Sequence, residues 1–171
     1  VTKARAIVVM GVSGCGKTSV AEGLAAALGA AFIEGDSLHP AANVEKMSRG
    51  IPLSDADRWP WLDTIGGAMA AALGEGRGVV VSCSALKRVY RDRLRQAAGG
   101  SLAFVFLKGS RDLLMVRMAA RRNHFMPVSL LDSQLATLED PSGEEGVVTV
   151  DIDRSIESIV EVALAGLAAA R

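Results

Sequence analysis

The chain has 171 residues, half of them hydrophobic, and its acids and bases balance at 19 each. That length and apolar content predict a single domain over 1–171 with a proper core, and exclude a disordered chain. The balanced charge leaves no basic stripe for nucleic acid and no apolar stretch is long enough for a bilayer, so neither is an expected partner.

In chain order, the first apolar run, Ala6–Met10, reads as a strand. Residues 11–18 follow as Gly-Val-Ser-Gly-Cys-Gly-Lys-Thr, an unbroken G-x-x-x-x-G-K-[ST] string. A helical pattern comes next, with Val20, Leu24, Ala27 and Leu28 as its apolar positions. Ala31–Ile33 is the second strand, and residues 36–58 form a polar insertion with Gly50, Pro52 and several Asp. The long helix beyond it carries Leu62, Ile65, Met69 and Leu73. Pro60 is tolerable only in a first turn, where its missing N–H is not needed. Asp57 is therefore the predicted N-cap, with Ser54 and Asp55 in a preceding turn. Val79–Cys83 is the third strand, followed by a helix with Leu86, Val89, Tyr90 and Leu94. Leu102–Leu107 is the fourth strand. A second insertion, 117–128, is rich in Arg and holds His124, Phe125 and Pro127. Val147–Val150 is the fifth strand, and the final helix carries Ile156, Ile159, Val160, Ala163, Leu164 and Leu167.

Mostly continuous hydrophobicity marks strands buried on both faces. Strands alternating with helices predict an α/β fold, a five-stranded parallel sheet with helices on both faces. Ligands in such sheets bind at the carboxyl ends of the strands. Cys15 and Cys83 are too few for a disulfide framework and fit a reducing cytosol. The N-terminal residues lack a charged region ahead of a long apolar one, so no signal peptide and a cytoplasmic location are expected.

The Gly-rich string in its strand–loop–helix setting is a P-loop. Its glycines let backbone N–H groups turn inward toward phosphate oxygens, and the helix N-terminus adds partial positive charge. Lys17 can reach the β- and γ-phosphates, and the Thr18 hydroxyl is a ligand for Mg²⁺. A GTP-binding switch would need an N-K-x-D segment, which this chain lacks. Asp63-Thr64-Ile65-Gly66 matches D-x-x-G but falls inside the amphipathic helix.

Further motifs surround the P-loop. After the second strand comes Glu34-Gly35-Asp36-Ser37-Leu38-His39-Pro40, then Asn43, Lys46, Asp57-Arg58 and Pro60-Trp61. After the third comes Cys83-Ser84-Ala85-Leu86-Lys87, then Tyr90-Arg91. Later come Arg117, Arg121-Arg122, His124-Phe125, Gln134 and Leu138-Glu139-Asp140-Pro141. With the P-loop, this series resembles the P-loop gluconokinase family, the gluconate kinases related to adenylate and shikimate kinases. The resemblance implies a three-layer P-loop kinase fold with a substrate-binding segment at 36–58 and a lid at 117–128. It implies transfer of the γ-phosphate of ATP to the 6-hydroxyl of D-gluconate, with Mg²⁺, by a homodimer. A kinase for another hydroxy or sugar acid, such as shikimate, is the alternative.

ATP would be held by Gly11, Val12, Ser13, Gly14, Cys15, Gly16, Lys17, Thr18 and Ser19. By similarity to adenylate kinases, Arg117 would stack on adenine and Arg121 would reach the phosphates. The alternative for this pair is a basic helix end offsetting the helix dipole. Asp36 closes a strand read as the neighbour of the P-loop strand, where it either accepts or orients the substrate hydroxyl proton, or only shapes a turn. Glu34 stands where relatives often carry Asp, and is either a Mg²⁺ ligand through water or an ordinary strand-end acid. Arg58, Lys87 and Arg91 are candidates for the substrate carboxylate, against the alternative of solvated surface charge. His39 either bonds sugar hydroxyls or packs structurally, before Pro40 at the first position of a helix. Lys46 and Ser84 complete the substrate set that the resemblance implies. Lys17, Asp36 and Arg121 are the expected catalytic residues. Cys83 is read as a core residue rather than a nucleophile.

Overall fold

A computed structural model describes residues 5–100, 102–120 and 128–169. Strands β1 (Ala6–Met10), β2 (Ala31–Glu34), β3 (Val79–Ser82), β4 (Leu102–Lys108) and β5 (Val147–Asp151) form one sheet. Its order is β2-β3-β1-β4-β5 and every pairing is parallel. The helices are α1 (Lys17–Leu28), α2 (Ala41–Ser48), α3 (Asp55–Gly74), α4 (Arg88–Ala97), α5 (Arg111–Ala119), α6 (Val128–Thr137) and α7 (Ile156–Ala169). A short 3₁₀ turn spans Gly35–Leu38.

Successive strand residues point to opposite faces, so β1 feeds two cores. Ile7 and Val9 join Val20 and Leu24 of α1 and Ile159, Ala163 and Leu167 of α7. Ala6, Val8 and Met10 join Leu62, Ile65 and Met69 of α3 and Leu94 of α4. Each fully buried Leu or Ile contributes about 1.5–3 kcal/mol relative to exposure. This is the three-layer α/β architecture expected from the alternating runs. The strands match the predicted runs to within one residue at their carboxyl ends.

Four local expectations are corrected. Strand β3 lies between β2 and β1, so Asp36 does not follow a neighbour of the P-loop strand. Ser54, not Asp57, caps α3: its hydroxyl accepts from Asp57 N at 3.1 Å, and the Asp57 carboxylate accepts from Ser54 N at 2.9 Å. This reciprocal box starts the helix earlier and places Pro60 inside it. Pro40 is the N-cap of α2 rather than its first residue. The apolar stripes are narrower than read: Ala27 and Leu28 are exposed at the end of α1, and Val89 is 51% exposed.

Gly66 explains the D-x-x-G string. A Cβ there would sit 2.2 Å from Ala97 Cβ, so the glycine lets α3 and α4 pack closely. Asp63 one turn earlier meets Arg93 of α4 through two hydrogen bonds of 2.7 and 2.8 Å. The string serves helix packing. No helix among the described residues is long and apolar enough to cross a membrane.

Candidate active site

The carboxyl ends of β1, β2 and β3 open on one sheet edge, where Glu34 pairs in register with Ser82, and Ser82 with Val9. The P-loop leaves β1 there. Gly11 N donates to Ser84 O at 3.3 Å, tying the loop to the end of β3. Gly14 and Gly16 have φ of 85° and 91°, which L side chains rarely adopt. Gly16 is the N-cap of α1, without a side-chain cap and without an acid in the first turn. The first N–H groups of α1 are thus left without an internal side-chain acceptor, an arrangement that suits an anion. Lys17 Nζ donates to Val12 O at 3.2 Å, arching over the loop, and Ser19 is exposed.

Thr18 Oγ1 donates to Glu34 Oε2 at 2.7 Å. Glu34 Oε1 accepts from the buried Ser82 hydroxyl, whose oxygen also takes Gly35 N–H at 3.4 Å. A Cβ on Gly35 would stand 2.2 Å from Ser82 O, so only glycine lets the chain turn this closely over β3. The longer Glu34 side chain therefore still reaches the P-loop threonine. Hard oxygen donors gathered beside the loop have the chemistry for Mg²⁺.

Asp36 is exposed in the 3₁₀ turn and has no hydrogen-bond or ion-pair partner among the described residues. Its charge nevertheless acts on the end of β3. Burial pushes the Cys83 thiol up to about 12; Asp36 and Glu34 add to that rise and Lys17 opposes it. Of the three groups, Glu34 is the one bonded to both the P-loop and the end of β3. Cys83 itself is 1% exposed within the core below α3, a protonated packing residue.

A second group forms where α3 meets α4. Arg58 Nη1 donates to Leu53 O at 2.7 Å and to the Tyr90 hydroxyl at 3.2 Å, leaving Nη2 and Nε without partners among the described residues. Asp55 accepts from Tyr90 and from Lys87 Nζ, the latter at 3.3 Å. The Tyr90 bond, then Lys87, holds the Asp55 carboxyl below its usual range, and the Asp55 bond holds the Lys87 ammonium above its own. His39 stacks on Trp61 with ring centroids 4.0 Å apart. Ser84 is half-buried beside Gly11, with no side-chain partner among the described residues.

Arg91, expected at the substrate carboxylate, is instead taken up by the protein itself. It is fully buried, and its N–H groups go to Ala85 O, Leu86 O, Glu139 O and both oxygens of Glu144, at 2.6–3.2 Å. A guanidinium has five N–H donors, and all are taken. Glu139 also accepts from Arg88 N at the start of α4, so the L-E-D-P segment braces that helix. Lys46 binds both oxygens of Asp57 at 3.0 and 2.9 Å, which gives it to the α3 cap. Arg117 Nη2 donates to Arg154 O at 3.1 Å, between α5 and the β5–α7 connection. Helix α5 ends at Ala119, and Arg121, Arg122, His124, Phe125 and Pro127 of the expected lid lie outside the described residues.

Sequence reasoning assigned no role to Gln134, whose Oε1 accepts from Ser13 N at 2.7 Å and ties α6 to the P-loop. Tyr90 and Asp55 likewise carry no site role in the sequence reading: Tyr90 belongs to an apolar stripe and to the motif after the third strand, and Asp55 to a turn.

The Lys46 and Ser54 bonds hold Asp57 down at about 2. Its folded value lies below the unfolded value of about 3.9, so its contribution to stability is present above about pH 4 and is lost as pH falls toward about 2. Asp57→Asn should remove that part of the acid dependence. Urea unfolding at stepped pH checks it, and identical acid slopes in both proteins would contradict the assignment.

The AAA domain family matches residues 7–141. A gluconokinase of Gluconobacter oxydans (strain 621H) is 52% identical over 161 residues, covering 93% of this chain and 89% of that protein. The chain belongs to the gluconokinase family. The thermoresistant gluconokinase of Escherichia coli (strain K12) is 45% identical over 154 residues, covering 90% of this chain and 87% of the relative. The crystal structure of a gluconokinase from Sinorhizobium meliloti 1021 superposes with a TM-score of 0.89 at 59% identity, over 96% of this chain and 92% of that one. The gluconokinase family thus shares both this sequence pattern and this P-loop kinase fold.

Proposed function

We propose that the chain transfers the γ-phosphate of ATP to the 6-hydroxyl of D-gluconate, giving 6-phospho-D-gluconate and ADP. One observation carries this reading: an uncapped P-loop whose Thr18 donates to Glu34 at 2.7 Å, with Glu34 tied to the end of β3 through Ser82 and Asp36 two residues further on, in a chain of the gluconokinase family. A shikimate-type kinase of the same fold is not favoured, because relatives at 40–52% identity over most of the chain are named gluconokinases.

In this reading the free N–H groups of α1 and Lys17 hold the phosphates of ATP. Lys17 stabilises the charge that shifts as the transferred group becomes metaphosphate-like. Asp36, exposed and unpaired among the described residues, accepts or orients the proton of the sugar-acid hydroxyl. Thr18 and Glu34 would hold Mg²⁺, Thr18 directly and Glu34 through water, and the ion would add positive charge beside the transferred group. Arg117 flanks the adenine and Arg121 meets the phosphates. Arg58, with Lys87 beside it, binds the gluconate carboxylate through the two guanidinium nitrogens that the protein leaves free. His39 and Ser84 bond its hydroxyls. A homodimer and a cytoplasmic location belong to the same proposal.

The carboxylate clamp is tested by substrate choice. Glucose offers the same terminal hydroxyl but leaves the cations without a partner, which is costly in a closed site. Gluconate should be used far better than glucose, and Arg58→Ala should hurt gluconate much more than residual glucose activity. Equal kcat/KM for the two sugars in the unmodified enzyme would rule out the clamp.

A further inference from the structure

Asn43 of α2 is 3% exposed. Its Nδ2 lies 2.9 Å from the backbone oxygen of Asp57 and 3.2 Å from His39 Nδ1. A carbonyl oxygen only accepts, so the Asn43 group that faces Asp57 is the NH₂ and not Oδ1. The amide orientation is thus decided by Asp57, independently of His39. The second hydrogen of the same NH₂ then goes to His39 Nδ1. A ring nitrogen that accepts a hydrogen bond carries no proton, so the ring proton is on Nε2. A doubly protonated ring would set Nδ1–H against the Asn43 N–H. Trp61 stacks on the ring with an interplanar angle of 17° and donates to Gly35 O at 2.8 Å, which holds the imidazole beside the Gly35–Asp36 turn. His39 Nε2 has no partner among the described residues.

We propose that Asn43 is a positioning residue that fixes His39 in its neutral, Nε2-protonated tautomer, so that the ring presents a hydrogen-bond donor to a hydroxyl of the sugar acid. The substrate half of this inference rests on the gluconokinase reading; the tautomer half does not. The charged groups that act on the ring oppose each other: Asp36 favours protonation and Arg58 disfavours it. Burial disfavours it most and holds His39 below its usual value, and the Asn43 bond works in the same direction.

Nitrogen-15 NMR of the whole chain reads the ring directly, with the His39 signals identified by their loss in His39→Gln. The unmodified protein should show a protonated Nε2 and a bare Nδ1 near neutral pH, titrating below about 6.5. Asn43→Asp places an acceptor at Nδ1. It should move the proton there and raise the titration by about one pH unit or more. Asn43→Ala should release the ring to a tautomer mixture. Measured above its raised titration, where the neutral ring carries its proton on Nδ1, Asn43→Asp should raise KM for gluconate about tenfold, and Asn43→Ala should raise it by less, with kcat changed less than KM in both. If Asn43→Asp fails to fold, the unmodified protein and Asn43→Ala still decide. A protonated Nδ1 in the unmodified protein, or a ring unaltered by both substitutions, would overturn the lock. An altered ring with unchanged KM would overturn the donor role. A protein that ignores gluconate but keeps the protonated Nε2 would sink the functional reading and leave the lock standing.

Discussion

Lys17→Ala should lower turnover on gluconate by about two orders of magnitude or more, equivalent to at least about 2.7 kcal/mol of transition-state stabilisation. The ammonium arches over the P-loop toward Val12 O, while the N–H groups at the start of α1 have no capping side chain. Those N–H groups remain in the variant and keep much of the grip on ground-state ATP. Binding should therefore weaken less than catalysis, because only interactions that grow in the transition state accelerate the reaction. Steady-state kinetics with titration of nucleotide binding separates the two effects. Near-normal turnover would contradict the assignment of the loop.

Asp36→Asn should lower turnover by about 10²–10⁴-fold while changing gluconate binding less. The substitution keeps the shape and removes the charge and the proton acceptor. Asp36 is exposed and unpaired among the described residues, so the variant disturbs no internal hydrogen bond there and the fold should be retained. The pH dependence of kcat/KM should change with it. Unaltered turnover and an unaltered pH profile would make Asp36 a turn residue only.

The chemistry-bearing segments were legible because they are contiguous. The P-loop, the strand ends and the Glu34–Asp36 turn each declare themselves within a few neighbouring residues. The buried strands were legible from their unbroken apolar runs. Sheet order was not: β3 inserts between β2 and β1, and no local pattern encodes which strand lies beside which. Arg91 shows the same limit for a side chain. Its partners Glu139 and Glu144 are about fifty residues away in the chain, so a buried structural arginine and a substrate clamp look alike in sequence. Arg58 and Tyr90 meet across thirty-two positions, and Gln134 reaches Ser13 across 121. The start of α3 was missed for a local reason. Pro60 was given the weight of a helix-start signal, but the Ser54–Asp57 capping box governs the boundary and the helix tolerates the proline beyond its first turn. The Asn43 contact with His39 spans only four residues, yet its meaning depends on Asp57 O, which folding brings in from α3.

The central claim is that this site moves phosphate from ATP to the terminal hydroxyl of gluconate. The most direct measurement is to incubate the purified protein with Mg-ATP and a panel of sugar acids, counting ADP by a coupled assay and identifying the product by phosphorus NMR. The account predicts gluconate as the preferred acceptor, one ADP for each molecule consumed, and the phosphate on the 6-oxygen. Release of ADP without a phosphorylated sugar acid, or preferential phosphorylation of shikimate or another acid in the panel, would contradict it.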